Sequence, residues 1–142
     1  MIRHVSHLGL LVGLALLAVP ADAFAAASVN GRWLTEDGKA IVTIEPCGAT
    51  VCGRIVRILA PTPNGPPVDS NNPDKTLRQR RILGLEVLSG FIDKGKDWRG
   101  RIYSPEEGRT YRSILARNAN GTLDVQGCIA FFCKSQTWKP VR

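Results

Sequence analysis

The chain has 142 residues, four cysteines, two histidines and a formal net charge of +7. Both histidines, His4 and His7, lie near the start, in a segment with the composition of a secretory signal. Without them the remaining chain cannot build a Ser-His-Asp triad, a Cys-His pair or a histidine metal site. The composition therefore disfavours hydrolases and zinc enzymes, and we expect neither a metal nor a cofactor.

Residues 1–27 are interpreted as an export signal. An apolar run over 8–19 is followed by small residues suitable for cleavage at 21–23 or 25–27. The run is shorter than the roughly 20 residues that a transmembrane helix needs. We therefore expect a single domain over 28–142, periplasmic or secreted, without a membrane span and without a nucleic-acid partner.

After the signal, short β-branched and aromatic runs alternate with turn residues, a pattern typical of antiparallel meanders. We predict an all-β domain, an antiparallel up-and-down barrel of about eight strands. A two-sheet β-sandwich is the alternative. The predicted strands span 31–34, 40–45, 52–59, 81–92, 98–103, 109–117, 122–129 and 134–141.

The cysteines form two matched pairs, Cys47 with Cys52 and Cys128 with Cys133. In an exported protein this spacing favours two local disulfides over a four-cysteine zinc site, although crossed pairing is also compatible with it. Placing the first two cysteines opposite each other in a hairpin also pairs Glu45 with Arg54.

The second pair encloses an apolar segment, residues 129–132, with the sequence Ile-Ala-Phe-Phe. We expect it to pack against the end of the barrel, because large apolar residues are usually buried. The alternative is an exposed lip that contacts a lipid or a hydrophobic ligand.

Residues 118–122 contain an Asn-Gly dipeptide, which predicts a two-residue hairpin turn. In that register Arg117 pairs with Asp124, and Leu115 pairs with Gln126. Both pairs would share the same two strands near the end of the chain.

A four-residue loop at 105–108 predicts a second hairpin, in which Arg101 lies opposite Arg112. Two like charges in that position destabilise the hairpin unless an anion lies between them. Together with Arg99 they form a basic patch that suits an anionic envelope component.

The segment 60–76 holds five of the nine prolines, which predicts a long irregular loop that could act as a lid. Its carboxylates, Asp69 and Asp74, have no calcium-loop spacing. Glu106 and Glu107 are adjacent on a turn and fit a polar hairpin tip better than an acid-base pair.

An early Trp33 in a Gly-x-Trp sequence, with Trp138 and Arg142 near the end, resembles the closure of calycin barrels, the lipocalins and their relatives. That resemblance implies that Trp33 packs at the floor of the barrel against a basic residue of the last strand.

A second resemblance covers almost the whole chain after the signal. The sequence is similar to the exported bacterial family called domain of unknown function 2147, which implies export and one small domain and supplies no activity. The family usually has Asp before the proline of the hairpin turn, where this chain has Ser104. The matching residues include Gly31, Trp33, Asp37-Gly38-Lys39, Cys47, Cys52-Gly53, Asp69, Asn72-Pro73, Leu77-Arg78, Arg80, Leu83-Gly84-Leu85, Trp98, Tyr103, Pro105, Gly108, Thr110-Tyr111 and Gln136-Thr137-Trp138.

Taken together, these features predict a protein that binds rather than catalyses. The first hypothesis is a pocket for a small, partly apolar and anionic ligand, with Trp98, Tyr111 and Arg80 in its wall. The second is an envelope-associated interaction protein that docks through its basic face.

Overall fold

The computed structural model describes residues 25–142, so most of the predicted signal lies outside the described residues. Eight antiparallel strands, joined in sequence order, close into a barrel. This confirms the predicted up-and-down barrel. The strands are β1 (Gly31–Leu34), β2 (Ala40–Cys47), β3 (Thr50–Ile58), β4 (Glu86–Asp93), β5 (Trp98–Ser104), β6 (Arg109–Arg117), β7 (Leu123–Ile129) and β8 (Phe132–Pro140).

Because the strands alternate in direction, their connections divide between two ends of the barrel. The loops 35–39, 59–85, 105–108 and 130–131 form what we call the upper end. The turns at 48–49, 94–97 and 118–122 form the lower end, together with the segment 25–30. Among residues 25–142 no helix is long and apolar enough to cross a membrane.

The lower half of the barrel is filled by large side chains. Trp33, Leu88, Phe91, Leu115 and Leu123 are each at most 1% exposed. Burying a side chain of this size stabilises a fold by roughly 1.5–3 kcal/mol. This half of the interior therefore serves as the core and leaves no room for a ligand.

Trp33 closes the floor of the barrel. Its indole Nε1 donates to the carbonyl of Val29 at 2.9 Å, and the Arg117 guanidinium lies 5.1 Å from its ring centroid. The calycin resemblance implied a basic residue of the last strand, Arg142, at this place. That detail is wrong: β8 ends at Pro140, opposite Trp33, so the cation comes from the lower end of β6.

The segment before β1 lies across the lower end. The backbone N–H of Ala26 donates to both carboxylate oxygens of Asp93, at 3.0 and 3.2 Å. The Trp98 indole donates to the carbonyl of Ala27 at 2.9 Å. Val29 then inserts into the core with no exposed surface.

The predicted hairpin of β5 and β6 is confirmed in register. Arg101 lies opposite Arg112, and Tyr103 lies opposite Thr110. The four-residue loop with Gly108 at its last position sets this register, as its sequence predicted.

The register predicted for β6 and β7 is wrong by one residue. Leu115 pairs with Val125 rather than Gln126, and Arg117 pairs with Leu123 rather than Asp124. A one-residue shift exchanges the faces of a strand. The observed register places Leu115, Val125 and Leu123 together in the interior.

The turn that produces this shift is one residue longer than predicted. The N–H of Asn118 donates to the carbonyl of Thr122 at 2.9 Å, and Gly121 takes the left-handed conformation with φ of 86°. The pair formed by Asn118 and Thr122 therefore encloses three residues, 119–121, instead of the predicted two.

Both local disulfides are formed, as predicted. Cys128 lies directly opposite Cys133, whereas Cys47 lies opposite Thr50. The predicted pairing of Glu45 with Arg54 is consequently wrong, because the turn at 48–49 is tighter than expected and places Glu45 opposite Cys52. The two disulfides lie at opposite ends of the barrel, so their sulfurs cannot ligate one ion.

Candidate functional site at the upper end

Above the packed lower half, the interior holds an apolar cavity of about 120 Å³. Trp138 and Ile55 belong to its wall, and two upper loops contribute Thr35 and Pro105. The cavity therefore lies at the upper mouth of the barrel. Its lining residues are Thr35, Ala40, Val42, Ile55, Val87, Ile102, Tyr103, Pro105 and Trp138.

The barrel wall is incomplete beside this cavity. β1 has four residues and pairs with β8 only at Trp33–Pro140 and Leu34–Lys139. In the described chain, the upper part of β8 therefore has a strand partner only on its β7 side. The N–H of Thr137 is satisfied instead by the side chain of Glu36, at 3.0 Å. Beside the cavity, β8 and β1 are therefore joined by backbone pairing only at the lower end of β8.

One polar atom in the interior has no hydrogen-bond partner among the described residues, the hydroxyl of Ser113. Ser113 is 2% exposed and lies on β6 between Gly100 of β5 and Gly127 of β7. Two residues above it, Tyr111 pairs with Ile102, a residue of the cavity wall. A buried hydroxyl without a partner is costly for the fold. Ser113 is not one of the residues that line the cavity.

The long loop between β3 and β4 is fixed to the upper end by a buried carboxylate. The Asp69 side chain has no exposed surface and accepts three hydrogen bonds. The donors are the Tyr103 hydroxyl at 2.6 Å, Asn72 Nδ2 at 2.8 Å and Arg80 Nε at 2.8 Å. The Arg80 guanidinium also lies 5.4 Å from the Tyr103 ring centroid.

Burial by itself would raise the pKa of Asp69, but the hydrogen bonds from Tyr103, Asn72 and Arg80 outweigh it and lower the pKa below its ordinary value. Burial and the bond to Asp69 raise the pKa of Tyr103. The carboxylate is therefore ionised and the phenol neutral at neutral pH. With its oxygens occupied by three donors, Asp69 acts as a structural anchor rather than as a base.

A second contact fixes the same loop to the hairpin of β5 and β6. Asn71 Nδ2 donates to the carbonyl of Glu106 at 2.9 Å. A Cβ at Gly108 would overlap the carbonyl oxygen of Asn71, and Gly108 has a φ of 62°. Glycine is therefore required there on two grounds, the backbone conformation and the close approach of the loop.

The predicted strand beginning at residue 81 begins instead at Glu86. Gly84, with φ of 86°, turns the chain just before it, so the irregular loop runs over 59–85. A groove of about 290 Å³ lies on this loop. It is lined by Ile58, Ala60, Thr62, Gly65, Pro66, Pro67, Arg81 and Leu83, and Arg81 forms no ion pair within the described residues.

The three residues predicted to line the pocket do not converge. Trp98 begins β5 at the lower end, about 16 Å along the strand from Tyr103 at about 3.3 Å per residue. Arg80 is held by Asp69, and the Tyr111 hydroxyl donates to Glu107 Oε2 at 2.6 Å. None of the three lines the upper cavity.

The remaining carboxylates of the upper end are each held separately. Glu106 accepts from Lys39 Nζ at 3.2 Å, while Glu107 accepts from Tyr111. Asp74 caps the short 3-10 helix Lys75–Leu77 through the N–H of Thr76, at 2.9 Å. They form no acid-base pair within the described chain, in agreement with the interpretation of 105–108 as a polar tip.

The three arginines of the predicted basic patch differ in their partners. Arg99 pairs with Asp97 at 2.9 Å, whereas Arg101 has no carboxylate partner within the described residues. Arg112 donates through Nη2 to the carbonyl of Ala130. The arginine opposite Arg101 is therefore held against the apolar turn that follows β7.

That turn does not pack against the barrel, so the favoured prediction for 129–132 is wrong. Ile129, Phe131 and Phe132 are 61%, 100% and 84% exposed. Ile129 and Phe132 are the last pair of β7 and β8, and Phe131 lies in the two-residue turn beyond them, with Ala130 at φ of 50°. The alternative, an exposed apolar lip, describes the structure.

The unpartnered hydroxyl of Ser113 cannot be predicted from the sequence, and neither can the set of residues that lines the cavity. Only the assembled barrel shows that the hydroxyl lacks a partner, since glycines occupy both neighbouring strands at that level.

A closed eight-stranded meander with a packed floor and an upper cavity defines a lipocalin-like barrel. In fold the chain is similar to a protein from the human pathogen Helicobacter pylori described as belonging to the lipocalin family. The TM-score is 0.72 and the identity 23%, over 82% of this chain and 85% of that one. A comparison with curated proteins gives no match. Residues 31–140 match the family described as uncharacterized protein conserved in bacteria, domain of unknown function 2147, and the chain belongs to that family.

Proposed function

We propose that the protein is an exported binding protein for a small, partly apolar and anionic ligand, held at the upper end of the barrel. The observation that carries this proposal is the apolar cavity between Trp138 and the upper loops, beside the gap between β8 and β1. The lipocalin-like fold supports it, because small barrels of this kind commonly hold one ligand.

The size of the cavity limits what enters it. Pockets for drug-sized ligands span about 300–1,000 Å³, whereas a dry cavity of about 150 Å³ accepts a benzene ring. A space of about 120 Å³ admits the end of an alkyl chain or one small ring. The rest of the ligand would then lie in the mouth, among the upper loops.

Basic residues near the mouth supply the charge for an anionic head group. Lys134 shares the inward face of β8 with Trp138, lies opposite Gly127 and is exposed beside the gap. Arg81 lines the groove on the long loop. Lys134 and Arg81 can therefore supply the positive charge that was predicted to come from Arg80. The guanidinium of Arg80 is already paired with Asp69.

Export is supported by the two disulfides and by the signal-like composition of residues 1–27. In the periplasm or outside the cell, a small carrier or sensor of an amphiphilic anion is a natural role for such a barrel.

The test is displacement of a fluorescent amphiphile, anilinonaphthalene sulfonate, by decanoate. Ala40→Leu adds three carbons to the cavity wall and should weaken binding of both molecules about tenfold, whereas Ala116→Leu changes another partly buried alanine, on β6, outside the cavity. Equal binding by wild type and Ala40→Leu would refute the cavity as the site.

A second candidate function is docking of the basic face on an anionic component of the cell envelope. It is favoured by the pairing of Arg101 with Arg112 and by the lack of a carboxylate partner for Arg101 in the described chain. Binding to envelope fractions that weakens with salt and is lost on Arg101→Glu would support it.

A further inference from the structure

The apolar turn after β7 is the most exposed hydrophobic feature of the described chain. Phe131 has a fully exposed side chain, and Phe132 and Ile129 are mostly exposed. We call residues 129–132 the tip. Monomeric proteins seldom present two adjacent phenyl rings to water unless they contact a partner or a membrane.

The tip is held rigidly at its base. Cys128 and Cys133, the residues just outside it, lie opposite each other and form a disulfide. Arg112 adds a hydrogen bond from its guanidinium to the carbonyl of Ala130. A rigid turn loses little conformational entropy when its side chains enter another phase.

A row of positive charge leads to the tip. Arg101, Arg112, Cys128 and Cys133 are direct partners on four successive strands, so they occupy one row across the sheet. Neighbouring strands lie about 4.8 Å apart, which places both guanidinium groups within roughly 15 Å of the disulfide. The chain from 125 to 142 contains basic residues and no Asp or Glu.

We propose that the tip inserts into the surface of an anionic lipid bilayer, with the row of arginines resting on the head groups. Exposed aromatic groups beside cationic ones are the combination that binds at the interface of such membranes. A soluble polyanion would use the arginines but would leave the phenyl rings in water. This proposal takes one element from the second candidate function, namely that the partner carries negative charge.

The tip and the mouth of the cavity both belong to the upper end of the barrel. A protein docked by its tip would therefore present the mouth to the bilayer, where amphiphilic anions are found.

The experiment is co-sedimentation with vesicles of phosphatidylglycerol and phosphatidylethanolamine, compared with vesicles of phosphatidylcholine. Wild type should bind the anionic vesicles, less at high salt, and the Phe131→Ser/Phe132→Ser double variant should bind about tenfold less. Ile92→Ser, an exposed apolar residue near the lower end, and Arg32→Glu, on β1, are the matched controls and should bind normally.

The variants distinguish insertion of the tip from docking by the basic face alone. Loss of vesicle binding on Arg101→Glu, with full binding by the double Phe variant, would overturn insertion of the tip while supporting a basic docking face. Phe131→Trp gives a second measurement: its fluorescence should shift to the blue with anionic vesicles, and no shift relative to wild type would refute insertion. Decanoate binding by the double variant should be unchanged.

An independent inference concerns the N-terminal segment. Ala26 donates to Asp93, and the carbonyl of Ala27 accepts from Trp98. Cleavage after residue 27 would remove both contacts. Cleavage between Ala25 and Ala26 would keep them and would place a new α-ammonium group against the Asp93 carboxylate, a charge-assisted contact.

The sequence around that bond also suits cleavage, since Ala23 and Ala25 are small residues at the required spacing. We infer that export processing ends between Ala25 and Ala26. The intact mass of the protein, exported by a bacterial host that expresses the full gene, should correspond to a chain beginning at Ala26. A mass for a chain beginning at Phe24 or Ser28 would overturn the inference.

Discussion

The hydroxyl of Tyr103 lies 2.6 Å from the carboxylate of Asp69, so the upper end of β5 and the long loop are joined by a partly buried hydrogen bond. The bond fixes 59–85 against the mouth of the barrel. The loop that was expected to act as a lid is therefore anchored to the barrel through Asp69.

Replacing Asp69 with Ala should destabilise the protein by about 2–3 kcal/mol, because three buried or partly buried donors lose their acceptor. The salt bridge to Arg80 adds little to this, since that side chain is 36% exposed. Urea unfolding measures the loss. Asp74→Ala, which removes the exposed cap of the short 3-10 helix, is the control and should cost much less stability than Asp69→Ala. Equal losses for the two variants would contradict the anchoring role of Asp69.

The lowered pKa of Asp69 predicts a dependence of stability on pH. A depressed pKa in the folded state stabilises the protein above the unfolded value of about 3.9, and this contribution is lost as the pH falls through the lower folded value. The difference in unfolding free energy between wild type and Asp69→Asn should therefore be constant near neutral pH and should shrink below about pH 4. If the difference in unfolding free energy grew as the pH fell, the pKa of Asp69 would be raised in the folded state, which contradicts this prediction.

Gly108→Ala should destabilise the fold by about 2 kcal/mol more than Gly65→Ala, because the added Cβ would overlap the Asn71 carbonyl. Both glycines have positive φ, but a Cβ at Gly65 meets open space, so the pair separates the close approach from backbone strain. Thermal unfolding gives the comparison. Similar losses would show that the loop does not press on this turn.

Ser113→Ala should stabilise the protein, by about 1 kcal/mol, since it removes a buried hydroxyl that has no partner in the described chain. The same change should leave decanoate binding unchanged, because Ser113 is not among the residues that line the cavity. Urea unfolding measures the gain in stability. A loss of stability would contradict the assignment of this hydroxyl as a buried group without a partner.

Each disulfide closes a short loop and should contribute about 2 kcal/mol on the chain-entropy estimate. The double replacements of Cys47 with Cys52 and of Cys128 with Cys133 by Ala should therefore lose similar stability. Only the second change loosens the base of the tip, so only it should reduce binding to anionic vesicles. Equal vesicle binding by the two variants would show that docking of the tip does not depend on the Cys128–Cys133 disulfide.

Much of the fold was predictable because hairpin registers depend on local sequence. The turn at 105–108 placed Arg101 opposite Arg112 correctly. The register predicted from the Asn-Gly turn is wrong by one residue, because burial of Leu123 and Val125 determines the register. The local turn preference is weaker than that packing.

The site was less predictable, because it depends on contacts between distant parts of the chain. Arg80 looked like a free cation until the loop brought it to Asp69, and Trp98 lies at the other end of the strand from the cavity. The tip was misjudged for a related reason: a rule about average burial cannot tell which apolar turn a barrel leaves outside.

Native mass spectrometry of the protein, purified without denaturant from the envelope of its own bacterial host, tests the central claim most directly. We predict a co-purifying small anion with an apolar end, bound one per chain to wild type and lost from Ala40→Leu but retained by Ala116→Leu. A wild-type protein that carries no bound mass, and that also fails to take up added decanoate, would contradict the account.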